Sequence, residues 1–541
     1  MKPARMKSWI AVICLVTFLL PPARAVAAPL DTVVGDGTAA SCDGNALEAA
    51  ITAGGTVTFN CGGAHTILAN TMVVDAGNTV VVDGGGLITI SGEDLRQLFI
   101  VGAGASLTLN NITLSNGNWP GRGGAIVVYG SVALNNSTVR DSQSPCGACD
   151  GSDGIGGAIA VEAGGVLSVA SSQLLANQAA YYGGAIALYG GAATITGSTI
   201  DGNTATYEGG GLWVNNGAAL TLTESTVRNN QATPATHGTG GGLYARGDAT
   251  IARSTFSTNQ ADSGGGLAIF GGTFAVENST IIGNRARAAT GGITYATPTG
   301  AGAASFATTT IYGNVVVNVD NVSSNANLYV SGQSEPPQFQ NTIIAGSAPG
   351  DNCVMGVNPT SLGYNQISDA SCALAGTGDV PNAAIALAPL ADNGGPTQSH
   401  LAVVGSSTVD AIPAANCAAA IDQRALPRPQ GPNCDTGAVE EVPTTQPPLP
   451  VSQPYYLGKL LVRPINLPIF AIKPNIAATQ LEITQGIQEA DGLGVTLVAG
   501  KRTFVRFHVR KTNGVANPVV GARLWRIVNG QRSGDPIAAS T

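Results

Sequence analysis

Short runs of aliphatic residues at alternate positions recur along this chain, each introduced by a glycine pair. Gly123-Gly124-Ala125-Ile126, Gly156-Gly157-Ala158-Ile159, Gly183-Gly184-Ala185-Ile186 and Gly209-Gly210-Gly211-Leu212 are the first four. Gly240-Gly241-Gly242-Leu243, Gly264-Gly265-Gly266-Leu267 and the weaker Thr290-Gly291-Gly292-Ile293 follow. Upstream of the glycines sits a second phrase: Ser198-Thr199-Ile200 before Asn203, Ser225-Thr226-Val227 before Asn230, Ser254-Thr255-Phe256 before Asn259. A third alternating stretch comes after them, as in Ala193-Thr194-Ile195-Thr196 and Ala219-Leu220-Thr221-Leu222. Self-similarity at roughly 24 to 33 residues per unit marks a solenoid.

Within a run, period-two alternation turns Ile186 and Leu188 to one face and Ala187 to the other. Three short strands and three turns per unit predict an all-β chain, a parallel β-helix with three strands per coil. The general preference for right-handed crossovers makes it right-handed. From Thr56 to Ile344 this gives about eleven coils and a rod about 50 Å long. The glycines are expected to supply positive φ at a turn. The repeated asparagine is expected to take a left-handed turn conformation and to stack amide on amide along the axis. A short helix over Asn45-Ala46-Leu47-Glu48-Ala49-Ala50-Ile51, with Asn45 as N-cap and Glu48 reaching back, should close the first coil.

Composition adds a compartment. Lys2, Arg5 and Lys7 precede the apolar stretch Trp9 to Leu20 and small residues ending at Ala27, so residues 1–27 read as a secretory signal peptide. The apolar run is too short for a comfortable membrane span. Apart from Cys14, eight cysteines remain as sequence neighbours, and a solenoid sets neighbours in the same or adjacent coils. Disulfides Cys42/Cys61, Cys146/Cys149, Cys353/Cys372 and Cys417/Cys434 follow, in an oxidising compartment. A net charge of -8 without any Lys/Arg run excludes a nucleic-acid partner.

The alternation of Phe256-x-x-Asn259 with Gly264-Gly265-Gly266-Leu267 resembles the repeats of chlamydial polymorphic outer-membrane proteins, over about residues 110 to 320. The resemblance implies a right-handed β-helix with an adhesive role. Those proteins end in an outer-membrane barrel that nothing here resembles, so their export route is not carried over. Further on, Leu387-Ala388-Pro389-Leu390-Ala391-Asp392-Asn393-Gly394-Gly395-Pro396-Thr397, Asp422-Gln423-Arg424-Ala425-Leu426-Pro427-Arg428-Pro429 and Cys434-Asp435-Thr436-Gly437-Ala438-Val439-Glu440 are similar to the "choice-of-anchor Q" region of bacterial secreted β-helix proteins. That implies a C-terminal cap beside a surface-anchoring element.

The organisation is therefore a signal peptide (1–27), a β-helix with its N-terminal cap (28–345) and a C-terminal cap (346–441). A proline-rich linker (442–475) follows. Over 476–541, Leu481 to Gly486 and Thr503 to Arg510 alternate like the start of an immunoglobulin-like β-sandwich. About sixty residues are too few for a whole one, so this domain is expected to be partial.

No catalytic set is found. Polysaccharide lyases and hydrolases built on this fold need clustered or facing carboxylates, and Asp201, Glu208, Glu224 and Asp262 are scattered at turns. His65, His237, His400 and His508 are far apart, and no metal-ligand or cofactor motif is present. Two insertions share one turn, Ser144 to Gly154 and Thr233 to Gly238. The first reads as a stapled loop in preference to a redox dithiol or a calcium loop on Asp150 and Asp153. Trp119, Tyr181, Tyr182, Tyr207, Trp213 and His237 form the candidate ligand edge, read either as a glycan-stacking surface or as packing against the turns. The expectation is a secreted or surface-anchored, non-catalytic rod, an adhesin or structural element meeting glycans or a neighbouring cell surface. The alternatives are a polysaccharide lyase or hydrolase and a glycan-binding module.

Overall fold

The computed structural model describes residues 31–441, apart from residues 150, 234–236, 301, 318–326, 348–349 and 404, and the backbone of four strands beyond residue 475. The expected signal peptide and linker lie outside the described residues, as do those needed to complete a β-sandwich. The four late strands form two antiparallel pairs, Ile476–Thr484 with Phe504–Lys511 and Leu524–Val528 with Gln531–Ile537. Among the described residues no helix is long and apolar enough to cross a membrane.

The chain from Thr32 to Ile367 is a right-handed parallel β-helix of about 12 turns. Three long sheets of 13, 11 and 12 strands run its length. The strand after each glycine pair, such as Ile186–Leu188, belongs to the 11-stranded sheet, here the glycine sheet. Ala192–Thr196 belongs to the 13-stranded sheet and Thr199–Asp201 to the 12-stranded sheet. Seven middle coils add a two-residue strand before the next glycines, Thr204–Ala205 for example, giving a small fourth sheet. Ile186, Leu212, Leu243 and Leu267 stack on one rung despite unequal spacing, because the turns absorb the extra residues. Inward side chains such as Ile186, Leu222 and Ile251 are buried in one continuous core.

The glycine pair has two separate causes. Gly183 has φ +66°, a region that costs an L-residue about 1–2 kcal/mol. Gly184 has no such φ, but a Cβ there would lie 2.1 Å from the carbonyl oxygen of Gly210 in the next coil. The first glycine turns the chain and the second lets backbones stack.

The asparagine ladder is present, although its members do not occupy the left-handed seat expected of them. Positive φ belongs to the residue before each: Ala176 (52°), Gly202 (68°), Asn229 (54°), Thr258 (55°) and Gly283 (59°). Asn177, Asn203, Asn230, Asn259, Asn284 and Asn314 are buried, and each donates Nδ2–H to the next Oδ1 at 2.9–3.0 Å or, from Asn314 to Asn327, at 2.8 Å. The Oδ1 of Asn259 also accepts the backbone N–H of Asn230, and its Nδ2 also reaches the Val227 carbonyl. All four amide positions are satisfied, the condition for burying polar groups without loss. Asp369 ends the row by accepting the Asn352 amide at 2.7 Å. Buried serines run beside it: Ser172, Ser198, Ser225 and Ser254 donate their backbone N–H to the next serine hydroxyl at 3.1 Å.

The four disulfides pair as expected, Cys42–Cys61, Cys146–Cys149, Cys353–Cys372 and Cys417–Cys434. The end-cap helix spans Gly44–Ala53 and buries Leu47, Ala50 and Ile51. Its N-cap is Asp43, whose side chain accepts the Ala46 N–H at 2.8 Å; Asn45 already lies inside the first turn. Residues 346–441 do more than close the far end. After the final strands the chain runs back along the 12-stranded sheet, where Gln423 Nε2 bonds Thr255 at 2.9 Å, Thr280 bonds Gln423 Oε1 at 2.6 Å and the Ala438 N–H donates to Thr310.

Candidate functional site

The candidate ligand residues divide into separate places. Trp213 is no turn residue; it lies mid-strand in Leu212–Val214, pointing outward from the glycine sheet, and is only 5 % exposed. Tyr182 stacks on it at 4.9 Å and 9°. Tyr181 and Tyr207 stack at 5.2 Å and 13° on the neighbouring turn. Trp119 is half exposed and is a member of neither stacked pair. His237 sits with Asp262 and Arg287. Because these rings stack along the solenoid axis, they cover one another's faces. A sugar ring needs a free aromatic face, and the stacked interior faces of these two pairs offer none.

What covers the glycine sheet was not foreseen. Its outward positions Ala187 and Ala268 do point away from the core, yet they are fully buried with Ile155, Trp213 and Tyr244 in a second, outer cluster. Residues before the strands meet residues after them across this face. Arg122 pairs with Glu162 at 2.8 Å and lies 3.6 Å over the Tyr189 ring. Glu208 accepts the Trp213 indole N–H at 2.9 Å and faces Arg246 at 3.9 Å, while Arg246 Nε donates to the Tyr244 hydroxyl at 2.7 Å. Burial first, then Glu208, pushes the Tyr182 and Tyr244 phenols above their ordinary range, so both stay neutral. The only sequence signal was the large residue at the outward position in Leu212-Trp213-Val214 and Leu243-Tyr244-Ala245.

The insertion Ser144 to Gly154 packs on this seam. Tyr181 donates its hydroxyl to the Cys149 carbonyl at 2.6 Å, and Arg122 Nε reaches the Ser152 carbonyl at 3.1 Å. Asp153 accepts the Gly147 N–H at 2.7 Å. Asp153 thereby helps to close the loop that the Cys146–Cys149 disulfide staples; Asp150 lies outside the described residues. His237, at φ +61°, directs Nδ1 to Asp262 Oδ2 at 3.0 Å and leaves its ring largely exposed. Arg287 Nε holds the other Asp262 oxygen at 2.7 Å.

Two further coil carboxylates are engaged by arginines. Asp201 meets Arg228 at 2.8 Å and Glu224 meets Arg253 at 2.6 Å. In the C-terminal strap, Arg428 and Glu440 pair at 2.8 Å in full burial, and Asp422 accepts the Arg424 and Glu440 N–H groups. Burial raises Glu440 and Asp435 above the usual carboxylate range and lowers Arg428. The motif residues Asp422, Gln423, Arg428 and Glu440 thus serve folding and docking. Among the described residues no three His, Cys, Asp or Glu side chains come together as a metal site.

No protein-family model matches this chain, and no curated protein sequence matches it. Solved structures similar to it include the periplasmic alginate epimerase AlgG, with a TM-score of 0.35 and 11% identity over 57% of this chain and 65% of that one. The Dettilon tailspike protein gp208 is similar with a TM-score of 0.31 and 11% identity over 63% of this chain and 68% of that one. The alignment spans less than two thirds of the epimerase chain.

Proposed function

We propose that this protein is an extracellular, non-catalytic β-helix rod, an adhesin or structural surface element. The observation that carries the reading is the pairing of five coil carboxylates with arginines. Glu162, Asp201, Glu208, Glu224 and Asp262 each face an arginine at 2.6–3.9 Å. A general acid or base must be free to come within hydrogen-bond reach of its substrate, and each of these five carboxylates already faces an arginine. Export is supported by the charged, apolar and small-residue pattern of residues 1–27 and by four disulfides. The resemblance to chlamydial polymorphic outer-membrane repeats favours adhesion, and the choice-of-anchor-like phrases favour attachment at a surface.

The enzyme reading draws on one feature, the His237–Asp262 pair, in which Nδ1 is fixed and Nε2 faces solvent. Purified protein immobilised on beads and offered to bacterial and host cells tests the rod reading. Capture by wild type and equally by His237→Asn is expected. No capture of any cell type, or capture accompanied by polysaccharide products that His237→Asn abolishes, would overturn it.

A further inference from the structure

The fourth sheet carries an unused row of hydrogen-bonding groups. Its inward positions are small and buried, Ala179, Ala205, Ala232, Ala261 and Ala286. Its outward positions stack in register as Gln143, Gln178, Thr204, Gln231, Gln260 and Arg285. Of these, Gln143, Gln178 and Arg285 are exposed and the others half-buried.

The ladder asparagines and most arginines of this molecule are already engaged. The ladder asparagines have every amide position filled. Of the ten arginines among the described residues, nine face a carboxylate. Arg285 is the tenth, and among the described residues neither it nor the four glutamines has a side-chain partner. Two residues beyond Gln260 and Arg285, on the same outward period, stand Asp262 and Arg287 with His237. Beyond Thr204 stands Tyr207, 40% exposed.

We propose that this row binds a linear uronate-containing polysaccharide lying along the solenoid axis. The inference builds on the rod reading and names its ligand class. Strands recur every ~4.8 Å, so the amides form a regular track, and each amide both donates to and accepts from sugar hydroxyls. Arg285, the one guanidinium among the described residues that faces no carboxylate, selects a carboxylate through its planar fork. Among the described residues the row offers one such cation, too little for nucleic acid, which carries a phosphate on every nucleotide. The row also lacks the apolar pockets by which an extended peptide is recognised on a sheet.

Calorimetric titration with size-defined oligogalacturonides, with cello-oligosaccharides of equal length as the neutral control, tests the proposal. Wild type is expected to bind the uronate series, more weakly as salt rises. Arg285→Ala and the pair Gln231→Ala/Gln260→Ala should each weaken binding about tenfold, the scale of one charge-assisted contact. Arg140→Ala, which removes a guanidinium paired with Asp141 on another sheet, should leave binding unchanged. Circular dichroism melts of each variant report folding. Absent uronate binding, equal binding by Arg285→Ala, or equal binding of the neutral series would overturn the proposal. Cell capture retained in any of these cases leaves the rod reading standing, and capture lost from wild type as well removes both.

Discussion

Asn259 condenses the logic of the coil into one side chain. It is fully buried, accepts two N–H groups from Asn230 and donates to Asn284 and Val227. Asn259→Ala should cost about 3 kcal/mol in chemical unfolding, because several buried groups lose their partners together. Asn259→Asp should cost more at neutral pH, since the carboxylate has no N–H to offer Asn284 Oδ1. Burial would raise the pKa of that carboxyl above its unfolded value, so the loss should shrink as pH falls. An Asn259→Asp protein as stable as wild type at pH 7 would contradict the ladder. The recurrence of asparagine made this row legible in sequence; its conformation was not. The left-handed seat falls one residue earlier, on Ala176, Gly202, Asn229, Thr258 and Gly283. Each seat residue donates its backbone N–H to a carbonyl of the next coil, as Ala176 does to Asp201 and Asn229 to Ser257, a main-chain bond that asks for no particular side chain.

At the level of elements, glycine pairs and alternating aliphatics disclosed the three long sheets, because a turn with positive φ and a period of two are both local requirements. The outer cluster over the glycine sheet escaped the same reading. Arg122 and Glu162, or Glu208 and Arg246, are 38 to 40 residues apart, and only the coil register brings each pair together. The C-terminal strap escaped for the same reason, since Gln423 meets Thr255 across 168 residues. Within that strap His400 is buried, packs edge-on to Tyr312 at 5.3 Å and donates Nδ1–H to the Ala388 carbonyl. Burial lowers its pKa from the ordinary 6.5, only partly offset by that hydrogen bond. A depressed folded pKa means the stability it confers is full above about 6.5 and declines as pH falls below it. The raised Asp435, Glu440 and Glu441 act in the opposite sense, favouring the fold as pH drops toward their unfolded values near 3.8 and 4.5. Comparing wild type with His400→Gln isolates the histidine. Hydrogen exchange in residues 385–440 should quicken between pH 7.5 and 5.5 relative to the variant, and an identical pH dependence in both would refute the assignment.

As a whole molecule, the solenoid is built to offer few handles. No lysine occurs between Lys7 and Lys459, and among the described residues nine of ten arginines are tied to carboxylates. Trypsin should therefore cut after Lys459 well before any site in 31–441, leaving a resistant core whose ends mass spectrometry can assign. Early cleavage after Arg228 or Arg253 would show that the coils open locally more readily than their ladders permit. The same economy underlies the functional proposal: Glu162, Asp201, Glu208, Glu224 and Asp262 are spent on arginines, and the glutamine row is left to bind. The most direct measurement is prolonged incubation of the purified protein with polygalacturonate and with a neutral polysaccharide, followed by sizing of the chains and ultraviolet detection of unsaturated ends. A non-catalytic rod predicts polymer retained at its original length with no new double bond. Shortened or unsaturated chains, lost on His237→Asn or Asp262→Asn substitution, would contradict it.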